Sequence, residues 1–575
     1  MRTCCFIAVM LSAIWASSFG GTITFYDNTQ VDSAQLDAVR VNLLLEEDLL
    51  VPSTQGKDYL LEQLDPAMLS PEAINEILRR ISALYQERGI LATRAVVTKG
   101  AYLRAQDGGN LEIRIQEGRI TKTRFVPAEG KHPIDAGKVD RIKDWAPLGA
   151  GDVVDSDRLD KTLGQVNRFS RQIVRPVLLP DQGGAILEYR VKQLDEWQAG
   201  YTLDNYGTER TGKTRHLLDL NKWNLFTVDD HLQLNGTVST EGNAWMARGS
   251  YTVPLSELSI DRLKISTYAS IYSAQDVGLG STGIEFEGES YGVMGTYERT
   301  LWNDNGAYLD GSVGAHFLNA MQDQSTLGIP SARTHYLLPF VGLRYTKSGI
   351  DTSWTVGAKL EGNLAQVAGT DTGVDLNLQG RLNASEDFLL GHVYAGYRTF
   401  LDGLFGATNN RVHEISLFGS ATSSLGGDRV PPSFLSVMGG PYSVRGYPIG
   451  ILSGDQSAYL KTDYKVHLNR LGGIGSVDEE NGAGQIFPRF PGDMPDLDAA
   501  LGVFFDIGSV SNENRLDAFE QDGTISSVGL GVSLNYKDDY RLTLEHAWAL
   551  TDIVTPNDVV NSGDGQTYFK FSAKW

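Results

Sequence analysis

From Trp197 to Trp575 this chain repeats one instruction, apolar then polar, in short runs broken by Gly, Asn and Asp. Leu232, Leu234, Gly236 and Val238 alternate with His231, Gln233, Asn235 and Thr237. The last run sets Phe569, Phe571, Ala573 and Trp575 against Lys570, Ser572 and Lys574. Neighbouring side chains of a strand point to opposite faces, so a two-residue period specifies a sheet with one apolar and one polar face. A soluble sandwich would bury the apolar face in a core. An outer-membrane barrel turns that face to lipid and lines its lumen with the polar one. An interfacial aromatic such as Trp575 closing the last run favours the barrel. About 378 residues, at roughly 20–25 per strand and connection, give about sixteen strands, within the even-numbered range of such barrels. The abundance of glycine, 63 residues, suits a chain with many turns.

The other end reads as an export signal. Arg2 is followed by an apolar core from Thr3 to Trp15 and by the small residues Ala16, Ser17 and Ser18, so residues 1–20 are predicted to be a cleaved signal peptide. The core is too short for a comfortable membrane-spanning helix, and no long apolar run follows it. Both cysteines of the chain, Cys4 and Cys5, lie in this segment, which removes disulfides, thiolate metal sites and cysteine nucleophiles from the remainder. The formal charge of −21 argues against a nucleic-acid binder, which would carry a basic stripe.

Between these ends, helical and strand periods mix. In residues 38–118, Ala38 to Leu45 is strand-like. Ser70-Pro71-Glu72 then carries a capping serine, a proline at the first helical position and an acid in the first turn. Ile74, Ile77, Leu78, Ile81, Leu84 and Tyr85 recur at helical spacing up to Gly89. A strand is predicted from Ile90 to Val97, and Leu111, Ile113 and Ile115 alternate with polar residues beyond the turn at Asp107-Gly108-Gly109. Residues 119–193 repeat the plan, with a strand from Arg119 to Val126, a helix opened by Ser156 and carrying Leu159, Leu163, Val166 and Phe169, and two closing strands, Ile173 to Leu179 and Ala185 to Val191. Two small α+β domains are therefore predicted at 38–118 and 119–193, after a short N-terminal segment at 21–37 and before a barrel at 194–575.

Two motifs stand out among the alternating runs. One is Gly439-Gly440-Pro441-Tyr442-Ser443-Val444-Arg445-Gly446-Tyr447, and the other is Phe504-Phe505-Asp506-Ile507-Gly508. The first supplies a guanidinium and the second a carboxylate, which a planar fork can grip bidentately inside a lumen. No catalytic residue, metal or cofactor is assigned. Gly278-Leu279-Gly280-Ser281-Thr282-Gly283 fits a dinucleotide-binding string but lacks the βαβ context that would give it meaning, and the nine histidines show no ligand spacing.

With these residues in view the chain resembles the outer-membrane transporters of two-partner secretion, the TpsB family of haemolysin and filamentous-haemagglutinin exporters. The resemblance is carried by Leu69-Ser70-Pro71, by Leu84-Tyr85-Gln86-Glu87-Arg88-Gly89 and by the run from Gly109 to Gly118. It continues in Leu203-Asp204-Asn205-Tyr206-Gly207, Thr211-Gly212, Asn224-Leu225 and Asp229-Asp230, and in the two motifs above. It implies that the two small modules are polypeptide-transport-associated (POTRA) domains in the periplasm. The fold is then mainly β, with a C-terminal transmembrane antiparallel barrel of about sixteen strands. Function follows: an outer-membrane pore that captures an unfolded, β-helical exoprotein of the TpsA type through its POTRA domains and secretes it without ATP. Outer-membrane lipid and the barrel assembly machinery that inserts the chain itself complete the partners, with no nucleic acid. The resemblance further implies that a loop around 430–455 folds inward, with Val444, Arg445, Gly446 and Tyr447 as its anchor motif and Phe504, Phe505, Asp506 and Gly508 as the wall that receives it.

Three features depart from the family pattern. Residues 21–37 are too short for both a barrel-filling plug helix and a linker. Residues 470–499 form a long insert, rich in Gly, Pro and acids, at a turn that is usually short, and Asp463 stands where glutamate is common. The alternative reading is a BamA-like factor that inserts other outer-membrane proteins.

Overall fold

The computed structural model describes residues 21–43, 57–128, 143–182, 184–275, 285–324, 329–370, 374–405, 410–471, 485–489, 493–517, 520–555 and 558–575. The signal peptide, the glycine string at 278–283 and most of the 470–499 insert lie outside the described residues. The chain forms two compact units, one ending at Leu194 and the other running from Asp195, with Arg168–Arg171 also assigned to the second.

The first unit is built from eight strands: β1 (Ile23–Tyr26), β2 (Arg40–Leu43), β3 (Lys57–Leu60), β4 (Arg94–Val96), β5 (Leu111–Gln116), β6 (Ile120–Pro127), β7 (Gln172–Asp181) and β8 (Gly184–Gln193). They make two three-stranded sheets, β1-β5-β4 and β6-β8-β7, and the hairpin β2-β3. Helix α1 (Pro71–Glu87) starts as its sequence dictates. The Ser70 hydroxyl accepts the Ala73 N–H at 3.2 Å, Pro71 occupies the first turn, and Gly89 ends the helix at φ +77°. Its stripe of Ile74, Ile77, Ile81 and Tyr85 is buried against Leu111, Ile113 and Ile115 of β5. In the second sheet, the Tyr189 hydroxyl donates to the Leu148 carbonyl at 3.1 Å, so that this fully buried phenol is satisfied. One feature corrects the sequence reading. Residues 21–37 are no separate segment, because β1 pairs in parallel with β5, Ile23 opposite Leu111 and Tyr26 opposite Arg114. The first sheet therefore starts before residue 38.

The second unit is a closed antiparallel barrel of sixteen strands. They are β9 (Trp197–Asp204), β10 (Arg215–Trp223), β11 (His231–Ser239), β12 (Ala244–Pro254), β13 (Asp261–Gln275), β14 (Glu285–Asp304), β15 (Ala307–Gln324), β16 (Ile329–Ser348), β17 (Thr352–Gly362), β18 (Leu389–Phe400), β19 (His413–Ser424), β22 (Gln456–His467), β23 (Leu497–Ser511), β24 (Gly523–Tyr536), β25 (Tyr540–Ala549) and β28 (Gly565–Lys574). Two short hairpins, β20 (Ser436–Met438) with β21 (Leu452–Gly454) and β26 (Ile553–Val554) with β27 (Val559–Val560), sit in loops. The alternation has the sense of a membrane barrel. On β23, Leu501, Val503, Phe505 and Ile507 point outward and are 37–49% exposed, while Phe504 and Asp506 point inward and are 5% and 0% exposed. An apolar face left uncovered by protein is what lipid requires. No helix among the described residues is long and apolar enough to cross a membrane.

The first strand starts at one end, here called the near end, and the far end carries the connections at 205–214, 363–388, 425–455, 512–522 and 550–564. Two of these fold into the barrel. Leu376 and Phe388 from residues 363–388, together with Val430 and Phe434 from residues 425–455, pack on the inward-facing Leu318, Tyr336, Leu338 and Leu390.

Candidate functional site: the anchored inward loop

The loop at residues 425–455 leaves β19, runs inward as β20, turns through Gly439 to Tyr447 and returns as β21 to β22. Its tip is braced from within, for the Ser443 hydroxyl accepts the Gly439 N–H at 2.9 Å. Apolar packing then seats it: Val444 and Tyr447, both fully buried, join Met438, Ile451 and Leu452 against Val510 and Ile525 of the wall. The Tyr447 hydroxyl lies 2.9 Å from the carbonyls of Ser526 and Thr551 and accepts the Thr551 N–H at 3.0 Å. Two glycines make the close approach possible. At Gly446, which holds φ +90°, a Cβ would fall 3.2 Å from the β25 backbone at Trp548 and Ala549. At Gly508 a Cβ would fall 2.5 Å from Met438 Sδ and 2.9 Å from Val444 Cγ2.

Arg445 is 3% exposed and spends every face of its guanidinium. Nε and Nη2 grip Asp506 bidentately at 2.7 and 2.8 Å, and the Arg445 backbone N–H adds a third bond to the same carboxylate at 3.1 Å. Nη1 reaches Asp463 on β22 at 2.9 Å and Glu545 on β25 at 3.0 Å. The plane of the group covers the Phe504 ring with its carbon 3.5 Å from the centroid. The Gly446 N–H donates to the Tyr568 hydroxyl of β28 at 3.0 Å, and Lys461 Nζ donates to the Pro441 carbonyl at 2.5 Å.

The structure thus brings together Val444, Arg445, Gly446, Tyr447, Phe504, Asp506 and Gly508. It does not place Phe505 with them. That ring points outward, 42% exposed, because residues adjacent in a strand face opposite ways. Asp463, noted in the sequence only for replacing a glutamate, is a direct partner of Arg445. Glu545, Lys461 and Tyr568 carried no motif, and their signal was only the inward parity of their strands. Beyond the tip, a cavity of about 1100 Å³ opens toward the far end, lined by Thr208, Arg210, Arg381, Tyr447, Glu520 and Thr555 among others. Its lining mixes apolar residues with charges of both signs, and no group of His, Asp or Glu among the described residues is arranged to hold a metal. Such a site can hold or release a loop.

Residues 183–339 match the model of the haemolysin secretion/activation protein family ShlB/FhaC/HecB. Over that stretch, about a quarter of the chain, the protein is similar to this family. It is 24% identical over 222 residues to the hemolysin transporter protein ShlB of Serratia marcescens, a match covering 38% of this chain and 36% of that protein. It is 23% identical over 436 residues to the outer membrane transporter CdiB of Dickeya dadantii (strain 3937), covering 71% of this chain and 68% of that one. The match thus spans about a third of the first relative and two thirds of the second. In fold, the chain is similar to CdiB from Escherichia coli, with a TM-score of 0.64 at 16% identity over 97% of this chain and 90% of that one. CdiB from Acinetobacter baumannii gives a TM-score of 0.56 at 16% identity, over 99% and 96%. Both curated relatives are transporters by name.

Proposed function

We propose that this protein is the outer-membrane pore of a two-partner secretion system, exporting one polypeptide partner, and that the loop anchored at Arg445 holds the pore in its resting state. The observation that carries the reading is a barrel whose lumen is occupied by its own loop, tied to the wall by one buried guanidinium shared among three carboxylates. A wall of a passive channel has no need of such a tie, whereas a conduit for a folded-back or extended chain needs a barrier that can be displaced. The match of residues 183–339 to a haemolysin secretion/activation family supports the same reading. The near end faces the periplasm, where the two POTRA-like modules receive the partner. The first sheet ends at β4 (Arg94–Val96), whose outer edge leaves backbone groups for an extended client to pair with by β-augmentation.

The experiment follows from the sheet. Removal of residues 38–118 would strand β1 without β5, so the first module is better removed as residues 21–118, with the signal peptide rejoined to Arg119. With the barrel inserted and heat-modifiable on a gel, export of the secreted partner is expected to stop and the partner to be degraded in the periplasm. Export at the parental rate would overturn the role of the module.

A further inference from the structure

The inward loop touches the wall in a second place. Asp204 closes β9 and is 1% exposed, and its carboxylate holds Arg215, the first residue of β10 and its direct cross-strand neighbour, through two bonds of 2.9 and 3.0 Å. The Arg215 Nη2 that binds Asp204 also donates to the Tyr442 hydroxyl at 2.6 Å. Tyr442 lies on the loop, three residues before Arg445. Its ring stands edge-to-face on Tyr206, centroids 5.8 Å apart, and Tyr206 stands edge-to-face on Tyr568 of β28 at 6.1 Å. The Tyr568 hydroxyl in turn accepts the Gly446 N–H. One continuous set of contacts therefore runs from the loop tip across the junction of the first and last strands.

That junction is the thinnest part of the barrel. β9 and β28 pair over five residues, Asp204 with Lys570 through Gly200 with Lys574, whereas every other ladder of the barrel has eight or more pairs. Past Lys570 the backbone gives one long bond, from the Asn205 N–H to the Phe569 carbonyl at 3.3 Å, and the Asn205 side chain supplements it. Asn205 donates its amide to the Thr567 carbonyl at 2.8 Å and accepts the Phe569 N–H at 2.8 Å, as a strand residue would. A loop fixed on both sides of this seam braces it.

We propose that Asp204, Arg215 and Tyr442 form a second anchor of the inward loop, which pins it to the first two strands across the seam and lets go before the Arg445 anchor when the pore opens. This deepens the reading of the loop as a gate and rests on it. The order of release follows from burial and from numbers of bonds. Tyr442 is 59% exposed and gives the loop one hydrogen bond, for which water competes, while Arg445 is buried and held by three carboxylates. Asp204 is a positioning residue, since it aims the guanidinium without touching the loop.

The test uses the full-length protein alone in planar bilayers in KCl, reading the frequency of high-conductance openings. Tyr442→Phe keeps the ring and removes the hydroxyl, and is expected to raise that frequency roughly three- to tenfold, the effect of one partly exposed hydrogen bond to a charged group. Arg215→Lys is expected to do the same, because a single ammonium cannot serve Asp204 bidentately and reach Tyr442 as well. The double variant is expected to do no more than either single one, as for two members of one contact. Openings at the parental frequency in Tyr442→Phe, or effects that multiply in the double variant, would overturn the proposal. So would a fall in the unfolding temperature of Tyr442→Phe that accounts for the openings, since the hydroxyl would then serve stability alone. No client enters this experiment. If Tyr442→Phe gates more often and export is untouched, the anchor stands and the gating role in export fails.

Discussion

Arg445 answers to three carboxylates, and that sets what the site tolerates. In Arg445→Ala, Asp506, Asp463 and Glu545 would face one another with Lys461 of the same wall as counter-charge, and docking of the loop is expected to weaken by about 3–5 kcal/mol, the usual cost of removing one partner of a buried pair. Arg445→Lys is expected to recover little, because a point charge cannot span Asp506 bidentately while reaching the other two. A charge swap, Arg445→Asp with Asp506→Arg, is expected to fail as well. It reverses one pair but sets the loop's new carboxylate against Asp463 and Glu545. Protease cleavage of residues 425–455 in the inserted protein measures all three variants, and a swap that regained parental protection would mean that Asp506 alone holds the loop. The pairing of Arg445 with Asp506 was legible because each sits in a distinctive motif. Asp463 and Glu545 were legible only as inward positions, since nothing local to a strand says which of its carboxylates a distant loop will reach. Phe505 was grouped with its motif by adjacency, where the strand period should have separated it.

Elements divide in the same way. The helix at Pro71–Glu87 was readable end to end, because its cap, its apolar stripe and its terminating glycine are all local. The strand Ile23–Tyr26 was not, because four residues acquire meaning only through β5, whose sequence lies far along the chain. Least legible were the far-end loops, where charge reads as a solvated surface. There Arg381 grips Asp455 at 2.5 and 2.6 Å and Glu520 at 2.8 Å, and Arg429 takes Glu520 through two further bonds of 2.8 Å. The loops at 363–388, 425–455 and 512–522 are thereby latched together. Burial would push the Glu520 carboxyl up, but hydrogen bonds from Arg429, the Leu516 N–H and Arg381 outweigh it and hold the group down to about 2, against an ordinary 4.5. A depressed carboxyl stabilises the folded arrangement above its unfolded pKa and loses that contribution as pH falls toward its folded one. The latch is therefore expected to be complete above about pH 5 and to loosen from about 4.5 down toward 2. Hydrogen exchange of residues 512–522 across that range measures it. Glu520→Gln is expected to show fast exchange already at neutral pH with little further change on acidification; an unchanged acid profile in that variant would assign the loosening to another group.

At the scale of the whole molecule, strand number and orientation followed from a two-residue period and a length, because both are properties of the entire array. Closure depends on which strands meet, and the sequence marks that only weakly. The seam between β9 and β28 also separates the two functions that such a barrel could serve. A secretion pore passes its client along the lumen and can keep the seam shut. A factor that inserts other barrels has to offer a free strand edge to its client, and in a closed barrel β9 and β28 supply one only by parting. Thr202 and Ser572 face each other directly across this seam with their hydroxyls 2.9 Å apart. Opposed residues of an antiparallel pair have Cα atoms about 4.5–5.5 Å apart, within the range a disulfide spans. Residues 21–575 contain no cysteine, so Thr202→Cys with Ser572→Cys would introduce the only pair. Oxidised, this variant is expected to export the partner at the parental rate if, as proposed, the route runs along the lumen past the Arg445 loop. Export would be followed with and without dithiothreitol after confirming the crosslink on a gel. A block that appears on oxidation and lifts on reduction would place the route through the seam and favour the insertion factor.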